Sequence, residues 1–384
     1  AGGVHAAGGP ALPSRPLGLR RKRDALGPGV AAIFQGRIQS VSIPDELFRP
    51  RSIVVIGASA DPGKISSIPL RNLRRVGYGG RVYAVNPKET EIDGVPCFPD
   101  VDALPETPDL AFLVVPGERA LQLATACAQR GTAAAIVAST GFAEAGPQGV
   151  ARQQALVSLR GQFGMRVVGP NTNGLYSAHD RLSMGYNAAH AEVFTPGEVS
   201  VVSHSGALFS TVGELLRSSG VGLSKFVAVG NEADLDMLDF FEHMAGDDNT
   251  RTILLVAEAI RDGARFRAIA QQARAAGKRV CVLKLGISQA GAASTAAHSS
   301  RLAGNAAAYR ALFEAAGVGS VDSLEAMVAF AALARSVRPG WRPAGRRLGV
   351  ATASGAGGTL MVDAASSAGF EIAVLGAQSE NSLR

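Results

Sequence analysis

Short apolar runs alternate with helix-compatible stretches along most of this chain, and that alternation restricts the fold more than any other property. Five runs come first: Ser52–Gly57, Arg81–Asn86, Leu110–Val115, Ala133–Ala138 and Met165–Val168. Apolar strands separated by helices are the pattern of βαβ units, which assemble into a parallel, doubly wound sheet covered on both faces. The 46 glycines and 5% aromatic content agree, because small residues let helices lie close to a sheet filled by Val and Ile. The expected class is α/β, with a Rossmann-like domain over residues 43–175.

In such sheets ligands bind outside the carboxyl ends of the strands. Each run here ends in a loop suited to that task, the first from Gly57 to Lys64. Gly57, Ala58 and Ser59, with Lys64 following, let backbone amides approach a phosphate at a helix N-terminus. After the second run comes Asn86-Pro87-Lys88, where a nicotinamide dehydrogenase would carry an acid for the ribose hydroxyls. A lysine there suits a phosphorylated ribose such as that of coenzyme A or NADP; a solvated surface lysine is the alternative. Val115, Pro116, Ser139, Gly141, Pro170 and Asn171 lie in the remaining carboxyl-end loops.

A second α/β cycle is expected over residues 197–338. The run Glu198–Val202 leads into Ser203-His204-Ser205-Gly206-Ala207-Leu208, which opens a helix reaching about Ser218. A serine cap followed by glycine leaves amides free for an anion such as phosphate, so Ser203, Ser205, Gly206 and Ala207 form a candidate anion turn, a plain serine cap being the alternative. Further strands are expected at Lys225–Val229, Thr252–Val256 and Arg279–Lys284, and Glu258 follows the second of these. A carboxylate there can accept a hydrogen bond from the Nδ1–H of an imidazole, fixing the tautomer that leaves Nε2 as the nucleophile. The imidazole expected is His298, in the stretch Gly291–Gly304, whose Gly, Ala and Ser suit a loop that moves. An ordinary surface loop and an exposed glutamate are the alternatives. His204 is a second candidate nucleophile, ranked lower because a ring fixed at a helix cap cannot travel.

Taken in order, these motifs resemble one family, the nucleoside-diphosphate-forming acyl-CoA synthetases, which include ADP-forming acetate–CoA ligases and, more distantly, the alpha subunit of succinyl-CoA synthetase. The residues carrying the resemblance are Val54–Ser59 with Pro62-Gly63-Lys64, Val85–Lys88, Val168–Asn171, Val202–Leu208, Val229–Asp234, and His298 ahead of Leu302-Ala303-Gly304. The resemblance implies a Rossmann-like domain that binds coenzyme A, followed by a flavodoxin-like succinyl-CoA-synthetase-type domain. It also implies that His298 is phosphorylated, that Glu258 is its partner, and that Ser203, Ser205 and Gly206 hold phosphate. An acyl-CoA, phosphate and NDP would interconvert with a carboxylic acid, coenzyme A and NTP. Two positions depart from the family pattern: Thr172 stands where cysteine is frequent, and Ser299-Ser300-Arg301 replaces the usual Thr-Gly after the histidine.

Residues 346–384 resemble the start of a third, ligase-CoA-type α/β domain, with a strand at Leu348–Thr352, a glycine turn at Ser354–Gly358, a helix from about Thr359 to Ala368 and a strand at Phe370–Val374. Two strands and a helix bury too little to stand alone. An ATP-grasp region is not expected within these 384 residues. The expectation is a fragment of a fused polypeptide or a subunit that takes ATP or GTP with Mg2+ through an ATP-grasp partner, in a homo- or hetero-oligomer. A non-catalytic coenzyme A or acyl-CoA sensor and an NADP-dependent oxidoreductase are the competing readings.

Charge and composition narrow the field further. Residues 1–40 hold Arg15, Arg20, Arg21, Lys22, Arg23 and Arg37 against Asp24, five of the six net positive charges, so the rest lacks the basic stripe that nucleic acid requires. Residues 1–42, rich in Ala, Gly, Pro and Arg, are expected to be a disordered tail. No apolar run approaches the roughly 18 residues of a membrane span. Cys97, Cys127 and Cys281 form neither a disulfide framework nor a metal pattern, so a cytoplasmic protein without a metal site is expected.

Overall fold

The computed structural model describes residues 43–291, 306–337, 344–374 and 376–383. Within them, β1 (Ser52–Ile56), β2 (Arg81–Val85), β3 (Glu91–Ile92), β4 (Val95–Phe98), β5 (Leu110–Leu113), β6 (Ala134–Val137) and β7 (Arg166–Val168) form one sheet in the order 3-4-2-1-5-6-7. All its pairs are parallel except the β3–β4 hairpin. Helices α1 (Ile68–Val76), α2 (Gly117–Gln129) and α3 (Pro147–Phe163) make the crossovers. Strands β1, β5 and β6 are buried throughout, which is why they read as unbroken apolar runs rather than alternating ones.

A second sheet follows, from β8 (Leu175–Ser177), β9 (Leu182–Met184), β10 (Pro196–Ser203), β11 (Leu223–Ala228), β12 (Thr252–Ala257), β13 (Arg279–Lys284) and β14 (Gly319–Val321), in the order 14-13-12-10-11-8-9. Its helices are α4 (Leu208–Ser218), α5 (Met237–Gly246), α6 (Gly263–Ala275), α7 (Ala306–Ala316) and α8 (Leu324–Ser336). The order reverses at β10, with β11 on one side and β12 on the other, and ligands of open α/β sheets lie at such a reversal. The sparse aromatics concentrate beneath it: Phe209 stacks on Phe226 with centroids 4.0 Å apart, and Tyr176 meets Phe194 edge-on at 5.2 Å.

The two sheets are fastened by a buried ion pair. Arg166 on β7 reaches Asp234 through Nε at 2.7 Å and a second guanidinium nitrogen at 3.1 Å, and the Val167 amide donates to the same carboxylate at 2.9 Å. Around it the segment after β11 runs beside β7, with the Ala233 amide donating to Gly169 O at 2.9 Å and Leu235 to Val167 O at 3.2 Å.

A second buried pair, Lys225 Nζ to Asp247 Oδ2 at 2.7 Å, makes stability acid-sensitive. Burial pushes the Asp247 carboxyl up, but hydrogen bonds from Lys225 and Thr250 and the lysine charge outweigh it and hold the group below the usual carboxylate range. A depressed carboxylate adds stability that is complete above its unfolded pKa, about 4, and is lost as pH falls through the lower folded value. Urea midpoints measured from pH 7 to pH 3 should therefore fall more steeply in the wild type than in Asp247→Asn, which cannot titrate.

Beyond α8 lie β15 (Arg347–Leu348), α9 (Gly355–Ser367), β16 (Glu371–Ile372) and α10 (Ala377–Leu383), with β15 and β16 paired in parallel. The expected α/β architecture of two successive domains is present. Two details differ from expectation. α9 begins at Gly355 rather than Thr359, because Ser354 Oγ accepts the Gly357 amide at 3.1 Å and the glycine turn becomes the first helical turn. The two flanking strands are also shorter than the apolar runs Leu348–Thr352 and Phe370–Val374 suggest. Among the described residues no helix is long and apolar enough to cross a membrane.

Candidate functional site

The carboxyl edge of the first sheet gathers the loops marked in the sequence. Gly57 has φ +87, and a Cβ there would lie 2.3 Å from Val115 Cγ1 and 2.8 Å from Val114 O, so only glycine lets the loops after β1 and β5 touch. Much of the polarity in these loops ties them together. Asn86 Nδ2 donates to Ala58 O at 2.8 Å while its Oδ1 accepts the Lys88 amide at 3.0 Å. Ser139, buried, accepts the Val115 amide and donates to Leu113 O, both at 3.4 Å. The Asn171 amide, after Pro170, donates to Ser139 O at 2.9 Å, and the Gly141 amide to Glu144 Oε1 at 2.7 Å. Ser59 Oγ accepts the Asp61 amide at 3.1 Å. Lys64, Pro87, Lys88 and Pro116 remain exposed on the rim. This edge is thus built of glycine- and proline-bearing loops with two exposed lysines among them.

At the carboxyl edge of the second sheet a cavity of about 170 Å3 is lined by Asn171, Asn173, Tyr186, His204, Ser205, Gly206, Ala207, Asn231 and Glu258, among others. It has room for a tetrahedral oxyanion and is too small for a nucleotide. The turn Ser203–Ala207 forms one wall, but not as a serine cap. Ala207 occupies the N-cap of α4 and makes no side-chain capping bond, while Ser203 Oγ accepts the Ser205 amide at 3.1 Å and donates to Ser205 O at 2.8 Å. Ser203 thus shapes the turn. Among the described residues the amides of Gly206 and Ala207 have no acceptor, and both residues line the cavity at the start of the 11-residue helix α4. Unpaired amides with a helix dipole behind them favour an anion.

His204, placed in the sequence at a helix cap, is instead fully enclosed before α4, with its side chain 0% exposed. Its Nδ1 accepts the Glu258 amide at 3.0 Å and its Nε2 lies 2.9 Å from Glu232 Oε1. Glu232 Oε1 also takes the Met237 amide at 2.9 Å, and Glu232 Oε2 lies 3.3 Å from Arg261. Neither nitrogen is available as a nucleophile. Glu258 is 7% exposed on the cavity wall, one residue past β12. Lys284, which ends β13, is 5% exposed with Nζ 4.6 Å from the Tyr309 ring centroid; burial pushes its pKa down, and the Glu258 charge opposes that shift. His298 lies outside the described residues.

The two edges are linked. Asn231, on the cavity wall, donates from Nδ2 to Glu144 Oε2 at 2.5 Å, and Glu144 Oε1 holds the amides of Gly141 and Phe142 at 2.7 and 3.1 Å. Gly230 beside it has φ +59, and a Cβ there would fall 2.3 Å from Pro170 O. Sequence reading assigned no chemistry to Asn173, Tyr186, Asn231, Glu144 or Glu232. Asn231 and Glu232 belong to the stretch Val229–Asp234 that carries the family resemblance, which was the available signal.

A larger cavity of about 590 Å3 lies at the opposite, amino-terminal edge of the second sheet, with Arg217, Arg251, Arg279 and Arg335 on its walls. Those arginines have structural work. Arg279 donates to Ala334 O and Val337 O at the end of α8, Arg335 to Gly220 O, and Arg217 and Arg251 pair with Glu214 and Glu198. Among the described residues no group of His, Cys, Asp and Glu is arranged to hold a metal.

Two largely parallel sheets, the first edged by glycine- and proline-bearing loops and the second by an anion-sized cavity, make this a two-sheet α/β protein with its candidate sites at the strand ends. Residues 51–178 match the family described as a CoA binding domain, and residues 196–334 match the succinyl-CoA ligase like flavodoxin domain. The alpha subunit of ADP-forming acetate–CoA ligase II of Pyrococcus furiosus is 35% identical over 341 residues, covering 88% of this chain and 72% of that one. ADP-forming acetate–CoA ligase I of Archaeoglobus fulgidus is 38% identical over 329 residues, 86% of this chain and 46% of the relative, so the chain spans about half of that protein's length. The dinucleotide-forming acetyl-coenzyme A synthetase 1 of Candidatus Korarchaeum cryptofilum, solved in the apo form, superposes with a TM-score of 0.76 at 32% identity, covering 86% of this chain and 70% of that one. The same enzyme in complex with phosphate and ADP gives 0.75, again at 32% identity, covering 85% and 69%. The chain belongs to the family of NDP-forming acyl-CoA synthetases that includes the ADP-forming acetate–CoA ligases.

Proposed function

We propose that this chain is the CoA-binding and phosphoryl-relay part of an NDP-forming acyl-CoA synthetase. The observation that carries the reading is the anion-sized cavity at the reversal of the second sheet, where α4 presents free amides and Glu258 lies on the wall. Coenzyme A would lie along the first sheet's rim, over Gly57–Ser59 and between Asn86–Lys88 and the loops at Val115–Pro116, Ser139–Gly141 and Pro170–Asn171, with Lys64 and Lys88 facing its phosphates. Phosphate, held at Ser203–Ala207, attacks the thioester carbonyl. The C–S bond breaks, coenzyme A leaves as the thiol, and an acyl phosphate forms. The phosphoryl group then passes to Nε2 of His298, releasing the carboxylate, while Glu258 accepts a hydrogen bond from the ring's Nδ1–H. Transfer from the histidine to NDP gives NTP and restores the ring, so two distant sites share one phosphoryl group.

The final step needs an ATP-grasp domain or subunit with Mg2+, in a hetero- or homo-oligomeric assembly, and the substrates are an acyl-CoA or small carboxylic acid. The setting is the cytoplasm. The buried, unbridged state of Cys97, Cys127 and Cys281 supports that setting.

The test is incubation with an ATP-grasp partner and NTP labelled in the γ-phosphate. Acid-labile, base-stable label is expected on the wild type and absent from His298→Ala. Label that persists in the variant, or never appears on the wild type, refutes the relay. Titration with coenzyme A against NADPH separates this reading from a dehydrogenase.

A further inference from the structure

We infer that His204 is a positioning residue, held in a single tautomer, that fixes the Glu258 and Glu232 loops around the anion cavity; the inference rests on the proposed reading of that cavity as the phosphate site. The tautomer follows from what faces each ring nitrogen. The partner of Nδ1 is a backbone N–H, the Glu258 amide at 3.0 Å, which can only donate, so Nδ1 carries the lone pair. A neutral ring then has its proton on Nε2, which points at Glu232 Oε1 2.9 Å away, a carboxylate that can only accept. The pair is therefore a charge-assisted hydrogen bond from a neutral imidazole rather than an ion pair.

The position makes this ring a hub. His204 follows β10 and its own amide donates to Val256 O of β12 at 3.1 Å. Its two nitrogens reach the residue after β12 and, through Glu232, the loop after β11 and the start of α5, where Glu232 Oε1 takes the Met237 amide at 2.9 Å. Glu232 is held at φ 57, a conformation that needs such support. Three loops that wall the cavity thus depend on one side chain that is 0% exposed. What the site requires at position 204 is one acceptor and one donor on a short planar group. Glutamine supplies both; alanine supplies neither, so Glu232 Oε1 loses one of its two donors and the Glu258 amide loses the ring nitrogen it donates to.

The full chain carrying 15N-labelled histidine, examined by two-bond 15N–1H correlation, reads the tautomer directly, with His204→Gln assigning the signal. A protonated Nε2 and a bare Nδ1 are expected at pH 7; the reverse tautomer, or a doubly protonated ring, overturns the inference. Calorimetric titrations with inorganic phosphate and with coenzyme A follow. His204→Gln should keep phosphate affinity within about threefold, and His204→Ala should lose at least about tenfold while coenzyme A binding stays within about threefold. Phosphate binding by His204→Ala equal to wild type, or its loss in His204→Gln as well, overturns the positioning role. The tautomer is read without removing the ring, so it decides even if His204→Ala fails to fold. Should the wild type take up no phosphate, the reading of the cavity fails instead. Hydrogen exchange at the Glu258 amide, slow in the wild type and His204→Gln but fast in His204→Ala, then decides the role of His204 by itself.

Discussion

Replacing Asp234 with alanine is expected to lower the unfolding free energy by about 3–5 kcal/mol, the usual cost of breaking a buried ion pair from one side. Its carboxylate is 2% exposed and takes two bonds from Arg166, one from the Val167 amide, and a longer contact of 3.6 Å from Arg160. Truncation removes this carboxylate from the Arg166 guanidinium, which is 8% exposed. It also frees the segment that pairs with Gly169 and Val167, so both sheets should loosen along their shared seam. The double variant Arg166→Met/Asp234→Leu should recover part of the loss, because burying neither charge costs less than burying one alone. Urea denaturation measures both, and a loss under about 1 kcal/mol for Asp234→Ala would mean the pair does not hold the seam.

The second large effect is expected from Gly230→Ala. The backbone there has φ +59, which costs a side-chain-bearing residue about 1–2 kcal/mol. The added Cβ would also meet Pro170 O at 2.3 Å and Asn171 O at 2.8 Å, both backbone atoms that cannot rotate away. Forcing them apart adds about 1–3 kcal/mol and displaces Asn171 from the cavity wall. Gly220→Ala is the control: φ is +63 but nothing lies within 4 Å, so only the backbone cost applies. Thermal and chemical denaturation should rank wild type above Gly220→Ala above Gly230→Ala, with phosphate binding weakened only in the last. Equal losses in the two variants would show that the contact with Pro170 carries no weight.

The sequence made the buried parallel strands legible because their signal is local. Ile53–Ile56 and Val280–Leu283 read as unbroken apolar stretches, and Glu258 could be placed just beyond a strand by counting. The short antiparallel pieces were not legible. Leu175–Ser177 and Leu182–Met184 are three residues each, too brief for any periodicity, and exist as strands only through pairing with each other and with β11. The serine turn was found for its composition and misread in its wiring, since which amide Ser203 Oγ takes depends on a backbone path that spacing does not encode. His204 shows the same limit. Its type and position were visible, but its role depends on Glu232 and the Glu258 amide, contacts 28 and 54 residues away in sequence.

The β8–β9 hairpin has a consequence for anyone dividing this protein. By position it trails the first sheet, yet β8 hydrogen-bonds to β11 of the second, and Asn72 of α1 donates to Gly185 O just past β9 at 2.9 Å. A cut at residue 178, where the match to the CoA binding domain stops, would carry β8 off with the wrong half and leave β11 with an open flank. Bare strand flanks recruit other chains, so the severed halves should tend to clump rather than behave as two tidy modules.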